Sequence, residues 1–560
     1  MNQITFNQIN DASWRETAVQ SLKGIPYEKL QTHTLEGITI DPLYTKEMYD
    51  AYFSGDVDSF TRQIQTGINT PDWTIAQVTY AKTGETFIQE LKKSLDAGNE
   101  AIVYDGREPL NWDEQSLYEL AQLLITYPVY AFHVEETDMF MQAFHMISPT
   151  NRHKVTGVLQ SSASLEGYDH LRSLIDTVPF HMDGADSVME LALALSSIVN
   201  KSENSHDFSS IAKHIAVRFA VDTQFFMEIA KLRAFRVLWQ TLCRAYNHET
   251  VHIPVIAETS LRTFTRFDSH MNMIRGGNEA LAAVIGGVDV FTVHPHLELE
   301  EVTEASVRTA RNIQLIIREE SFLKYVIDPA SGSYYIDILT KELIDAAWTL
   351  FQEIENGGGY EAYQASGKMD EMFKRQSNHR LEKMNLQKST LVGTNRYVDV
   401  NEILKTQGKQ EIKGRIAQPF ERLRMKGLQT APSVVLIRIG SLQDFKARAD
   451  FAKGLLAVGG IDAVESPVFA STEEAAAWIS SNEYTYYAFC TSYENIKASL
   501  ENTPELKANW NDAVGLFSEE EQDDLKKIGI DDFIYAGMNQ LEKLEAIITT
   551  CGEEGYHEKA

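Results

Sequence analysis

Residues 217–239, VRFAVDTQFFMEIAKLRAFRVLW, set an apolar run of strand length directly before a helix. The run to Asp222 is apolar at nearly every position, as in a strand covered on both faces of a parallel sheet. Over 224–239 apolar residues return at three- and four-residue steps, the period of a helix lying on that sheet. One such unit predicts more.

Working outward, similar runs occur at 101–105, 128–135, 154–160, 178–183, 253–259, 288–294 and 325–328, each followed by a helical pattern. Eight strand–helix units over 61–365 predict an α/β fold of the (β/α)8 (TIM) barrel type. Several runs end in a polar residue: Asp105, Glu135, Asp183, Asp222, Glu258 and His294. In a barrel these ends ring the face that carries active sites, although the same residues also serve as helix caps.

Three further zones flank the barrel. Residues 1–60 show no sheet period and read as an arm, which needs a surface, on this chain or a partner, to bury Ile38, Ile40, Leu43 and Tyr44. Over 366–430 the periodicity fades and basic residues gather, among them Lys374, Arg375, Lys405, Lys409 and Arg415, suggesting a linker belt. Residues 431–560 carry strand candidates at 434–439, 464–469, 485–490, 513–517 and 533–535, which fit a flavodoxin-like doubly wound sheet.

Composition excludes several classes. The 560 residues include 80 acidic against 51 basic side chains, a net charge of −29, so a nucleic-acid partner is not expected. No run approaches the roughly 20 apolar residues of a membrane helix. The first residues lack a basic and then an apolar region, so a cytoplasmic setting is expected rather than secretion. The three cysteines (Cys243, Cys490 and Cys551) are far apart, which fits a reducing compartment.

Six collinear stretches carry a family likeness: EGITIDPLYT (36–45), FHMDGADSVMELALAL (180–195), EIAKLRAFRVLW (228–239), NMIRGGNEALAAVIGG (272–287), ARNIQLIIREES (310–321) and DPASGSYYIDILT (328–340). They resemble the methylmalonyl-CoA mutase family. The resemblance implies a barrel that holds an acyl-CoA and a C-terminal domain that presents adenosylcobalamin to it. In that family an Asp-x-His-x-x-Gly motif after the first strand of the C-terminal domain supplies the cobalt-binding imidazole. The matching positions here are Leu442, Asp444 and Ala447. Leucine cannot orient an imidazole, and a carboxylate is a poor substitute for a neutral nitrogen donor. Phe517 stands where the family keeps small residues beside the nucleotide tail, and Arg438 stands where it has a lysine. In the barrel, the family's active-site His and Tyr correspond by ungapped counting to Ile256 and Ile68, neither of which can polarise a carbonyl or move a proton.

These departures resemble the family's non-catalytic small subunits. The resemblance then implies no catalytic residue, no cofactor and no metal in this chain, adenosylcobalamin in a large catalytic partner of a 1:1 heterodimer, and an arm wrapping that partner. Two alternatives stay open: an active acyl-CoA mutase with an unusual cobalamin site, and a metal-dependent barrel enzyme using His294 and His296.

Overall fold

The computed structural model describes residues 10–163, 165–205, 207–404, 411–502 and 510–557. Lys405 and Lys409 of the basic belt lie outside them. Two compact units form. The first comprises the chain up to Arg262 together with Met273–Glu298 and Val302–Gln376; the second comprises Thr263–Asn272, Leu299–Glu301 and the chain from Ser377 onward.

The first unit is built on eight parallel strands: β1 (Thr74–Ile75), β2 (Ile102–Asp105), β3 (Val129–Phe132), β4 (Gly157–Leu159), β5 (Leu171–Asp176), β6 (Ile215–Val221), β7 (Val255–Thr259) and β8 (Val290–Thr292). Their order is β1-β8-β7-β6-β5-β4-β3-β2. The two end strands meet through a parallel bridge between Val78 and Val103 and the bond from Glu100 N to Ile75 O (2.9 Å), which closes a TIM-like barrel. The seam is clamped from outside: Arg318 holds Glu100 with two bonds (2.8 and 3.0 Å) and pairs with Asp72 at 2.9 Å.

Two of the eight expected strands are misplaced. The run 178–183 is a short helix, α1 (Val178–Asp183), with Pro179 in its first turn, where a missing N–H costs nothing. The true fifth strand is LRSLID, whose Arg172, Ser173 and Asp176 interrupt the apolar run. The run 325–328 forms no strand, and the strand that completes the barrel, β1, is only two residues long.

Along the inside, side chains two apart form one cluster: Ala76, Val103, Tyr130, Phe132, Val158, Ala216, Ile256 and Val290. Outside pack the helices α2 (Ser187–Ser205), α3 (Phe225–Ala245), α4 (His270–Ile285), α5 (Glu304–Glu320) and α6 (Tyr334–Asn356). Every residue from Met227 to Trp239 in α3 is buried, including Glu228, Lys231, Arg233 and Arg236. The arm finds its surface partly on this chain. Ile38 lies in the core beneath these helices, and Tyr44 packs against Tyr335 at 5.6 Å. Of the two surfaces open to the arm, this chain supplies the one that covers Ile38 and Tyr44.

The belt at 366–430 is helical at both ends, α7 (Lys368–Asn385) and α8 (Gln418–Thr430). The second unit then carries a five-stranded parallel sheet: β9 (Val434–Ile439), β10 (Val464–Phe469), β11 (Tyr486–Cys490), β12 (Trp510–Val514) and β13 (Asp532–Ile534), in the order β10-β9-β11-β12-β13. That is the flavodoxin-like arrangement. Alternate residues of β9 enter opposite cores, Val434 and Leu436 on one face and Val435, Ile437 and Ile439 on the other, so both faces are covered. Arg438 ties β9 to the edge strand at a register shift, donating to Ser466 O (2.8 Å) and Glu465 (2.6 Å).

Candidate functional site

At the carboxyl ends of the barrel strands the inward layer changes from apolar to charged. Ile256 and Glu258 point the same way along β7, one layer apart, and only Glu258 belongs to the mouth. Arg218 of β6 occupies the centre. Its guanidinium lies 3.8 Å over the Phe132 ring, pairs with Asp176 at 3.3 Å and contacts Glu258 directly. His294 adds an ion pair to Glu258 at 3.5 Å. Asp105 is held by Arg107 Nε at 3.0 Å, and Tyr80 donates to Glu298.

Burial opposes charge on Glu258, but Arg218 and then His294 override it and keep the carboxyl well below the usual range. His294 is raised because Glu258 outweighs its own burial. His133 is lowered, first by burial and then by Arg107. The mouth therefore holds Asp105, Asp176, Glu258 and Glu298 against Arg107, Arg218 and His294. This excess of acid repels anions, and Arg218 is already spent on two carboxylates.

A second buried network lies between the strand ends and the outer helices. His181 of α1 contacts Glu190 Oε1 through Nδ1 and Ser260 Oγ through Nε2, both at 2.7 Å. Lys231 pairs with Glu190 (3.0 Å) and Glu228 (2.7 Å) and donates to Ala220 O (2.7 Å). Arg262 grips Asp222 (2.6 and 3.0 Å), and Glu279 accepts from Ser260 N at 3.2 Å. His181 is fully buried, with both ring nitrogens engaged, and burial and Arg262 push its pKa down to about 4. One ammonium serves two carboxylates here, so Glu190 keeps its charge. Glu228 is pushed up by its burial, with Glu190 and Asp222 adding to the effect.

Of the polar strand ends read from the sequence, Asp105, Glu258 and His294 do gather at the mouth. Asp222 joins the second network, Glu135 is exposed, and Asp183 ends α1. Ile256 is an inner-layer core residue below the mouth. Ile68 packs outside the barrel beside Val237 and Ile338, where a Cβ on Gly287 would meet it at 2.8 Å. The structure thus places neither side chain among the charged groups of the mouth. Charged pairs, not aliphatic bulk, fill this mouth. His181, Lys231 and Arg262 escaped sequence reasoning. The available signal was α3 itself, a helix with charges but no polar face. Among the described residues no group of three His, Cys, Asp or Glu is arranged to hold a metal ion, and His294 is already committed to Glu258.

In the second unit, Gly440 and Ser441 lead β9 straight into helix α9 (Leu442–Val458). Asp444 closes a capping box, accepting from Ser441 N (2.8 Å) and Oγ (2.7 Å), which lowers its pKa. Leu442 is 66% exposed, and Ala447 is exposed on the same helix. Phe517 packs on Phe533 at 5.7 Å. These residues do not fit a corrinoid, since no nitrogen donor stands at the expected place and its carboxylate is used by the helix. Asp444→Ala removes the N3 arm of this capping box and is expected to lower the unit's melting temperature. An unchanged melt would show that the cap contributes nothing.

The model of the family described as methylmalonyl-CoA mutase matches residues 169–453. The chain is 26% identical to the methylmalonyl-CoA mutase small subunit of Porphyromonas gingivalis, over 97% of both chains. It is 31% identical to the small subunit of Streptomyces virginiae, over 58% of this chain and 56% of that one. It is also 27% identical to the methylmalonyl-CoA mutase of Cereibacter sphaeroides, over 69% of this chain and 64% of that one. With residues 169–453, half its length, matched by the family model, the chain belongs to the methylmalonyl-CoA mutase family.

Proposed function

We propose that this chain is the non-catalytic small subunit of an adenosylcobalamin-dependent methylmalonyl-CoA mutase. In this reading a large homologue carries the corrinoid and the acyl-CoA and isomerises methylmalonyl-CoA and succinyl-CoA by radical carbon-skeleton rearrangement. The small subunit pairs with it 1:1 in the cytoplasm and lends it structure. The observation that carries the reading is Asp444: where the family places its cobalt ligand, this chain starts a helix and spends the carboxylate on its cap. The acid-rich, self-paired barrel mouth adds support, because a carboxylated acyl thioester would meet excess negative charge and no unpaired guanidinium. Among the described residues no helix is long and apolar enough to cross a membrane.

Titration of the purified chain with adenosylcobalamin, followed by ultraviolet–visible absorption, is expected to show no bound corrinoid. Co-expression with the large subunit is expected to give one 1:1 species on gel filtration. Stoichiometric corrinoid binding to this chain alone would overturn the reading and favour an active mutase.

A further inference from the structure

The segment between α5 and α6 contains FLKYVI (322–327), part of which reads as the last barrel strand. Leu323 packs against the core, and the fold leaves the other apolar side chains of the segment in water. Phe322 is 67% and Tyr325 68% exposed, and Val326, Ile327 and, on the end of α5, Ile316 are also exposed. The two rings lie 6.3 Å apart. The Phe322 backbone is left-handed (φ +62°), a conformation uncommon for a bulky residue. Charges stand beside the rings: Lys324 pairs with Glu319 at 2.7 Å and lies over Tyr325.

These side chains leave on the order of 500 Å² of apolar surface exposed, the upper range for a single patch on a monomer. One side of a standard complex contributes about 800 Å², with aromatic residues at its centre and charges at its rim. The patch thus supplies the centre of such a side. A second copy is a poor occupant, since two chains of net charge −29 repel each other. We infer that this patch is the docking surface for the large mutase subunit, with Phe322 and Tyr325 as its anchors. The inference rests on the subunit reading above.

The test compares the wild-type chain with Phe322→Asp/Tyr325→Asp, each titrated against the purified large subunit. The wild type is expected to form the 1:1 complex, and the double variant to raise its Kd by at least about 30-fold. Phe322→Leu/Tyr325→Phe is expected to stay within a few-fold of wild type, about the spread of near-neutral contacts. The melting temperature of the double variant alone should match wild type; if it falls, Val326→Glu carries the same test. An unchanged Kd for the Asp variant overturns the patch while leaving the subunit reading intact. A wild-type chain that forms no complex overturns both. Sedimentation showing a wild-type dimer that the double variant dissolves would assign the patch to a second copy instead, and overturn the inference.

Discussion

Arg233→Met is expected to lower the stability of the barrel unit by about 3–5 kcal/mol, seen as a fall in the denaturant midpoint. Arg233 is fully buried and serves two carboxylates at once. It meets Asp328 at 2.7 and 3.0 Å and Asp337 at 2.6 Å, and it also donates to Thr340 at 3.0 Å. Asp337 in turn accepts from Tyr49 OH (2.7 Å) and from Gly332 N (3.0 Å). One guanidinium therefore fastens α3, the loop before α6, α6 itself and, through Tyr49, the amino-terminal arm. Removing it strands two acids in a site where burial already pushes Asp328 up despite Arg233. Arg233→Lys should recover only part of the loss, because a point charge cannot span both carboxylates in the guanidinium's planar geometry. A midpoint unchanged by Arg233→Met would show that the cluster contributes no net stability.

The second large effect is expected at Lys231. Lys231→Met leaves Glu190 and Glu228 buried without a cation, again costing about 3–5 kcal/mol near neutral pH. The loss should shrink in mild acid, where the stranded carboxyls protonate. The pH profile separates the partners. Glu228 is raised in the fold, so its neutral form is the one the fold keeps, and its contribution is lost as pH rises above the ordinary value of 4.5. Glu228→Gln should therefore gain on wild type between about pH 5 and about pH 8. His181 works in the opposite direction. Its folded pKa of about 4 lies below the ordinary 6.5, so the unfolded chain binds its proton first, and stability is lost as pH falls through that interval. Further down, Glu190, Asp222 and Glu258, all lowered in the fold, must be protonated too, and acid unfolding should be steep. Equal pH profiles for wild type and Glu228→Gln in chemical denaturation would remove Glu228 from this account.

Much of the architecture was legible because it rests on near-neighbour periodicity. VRFAV and VVLIRI read as doubly covered strands, and both are. The errors have a common cause. LRSLID hid as a strand because Arg172 bonds to Lys213 O and Asp176 pairs with Arg218, partners 41 and 42 residues away. Conversely, 178–183 and 325–328 are apolar enough for strands, but one became a helix with Pro179 in its first turn and the other leaves Tyr325, Val326 and Ile327 on the surface. Periodicity reports which face a residue could bury, not whether a neighbour arrives to cover it.

The likeness of six ordered stretches settled the family before any coordinate, and the letters at 442, 444 and 447 were enough to question a cobalt ligand. The state of the barrel mouth was a different matter. Ile256 and Ile68 suggested a mouth without a group to polarise a carbonyl or move a proton, whereas it is filled by Arg218, Asp176, Glu258 and His294, brought from three strands and the segment after a fourth. Charge pairing in a closed barrel depends on which strand ends meet, and on a stagger of single residues that turns Ile256 into core and Glu258 into mouth. Contacts across such separations leave no periodic trace along the chain, so this part of the molecule became readable only once the barrel had closed.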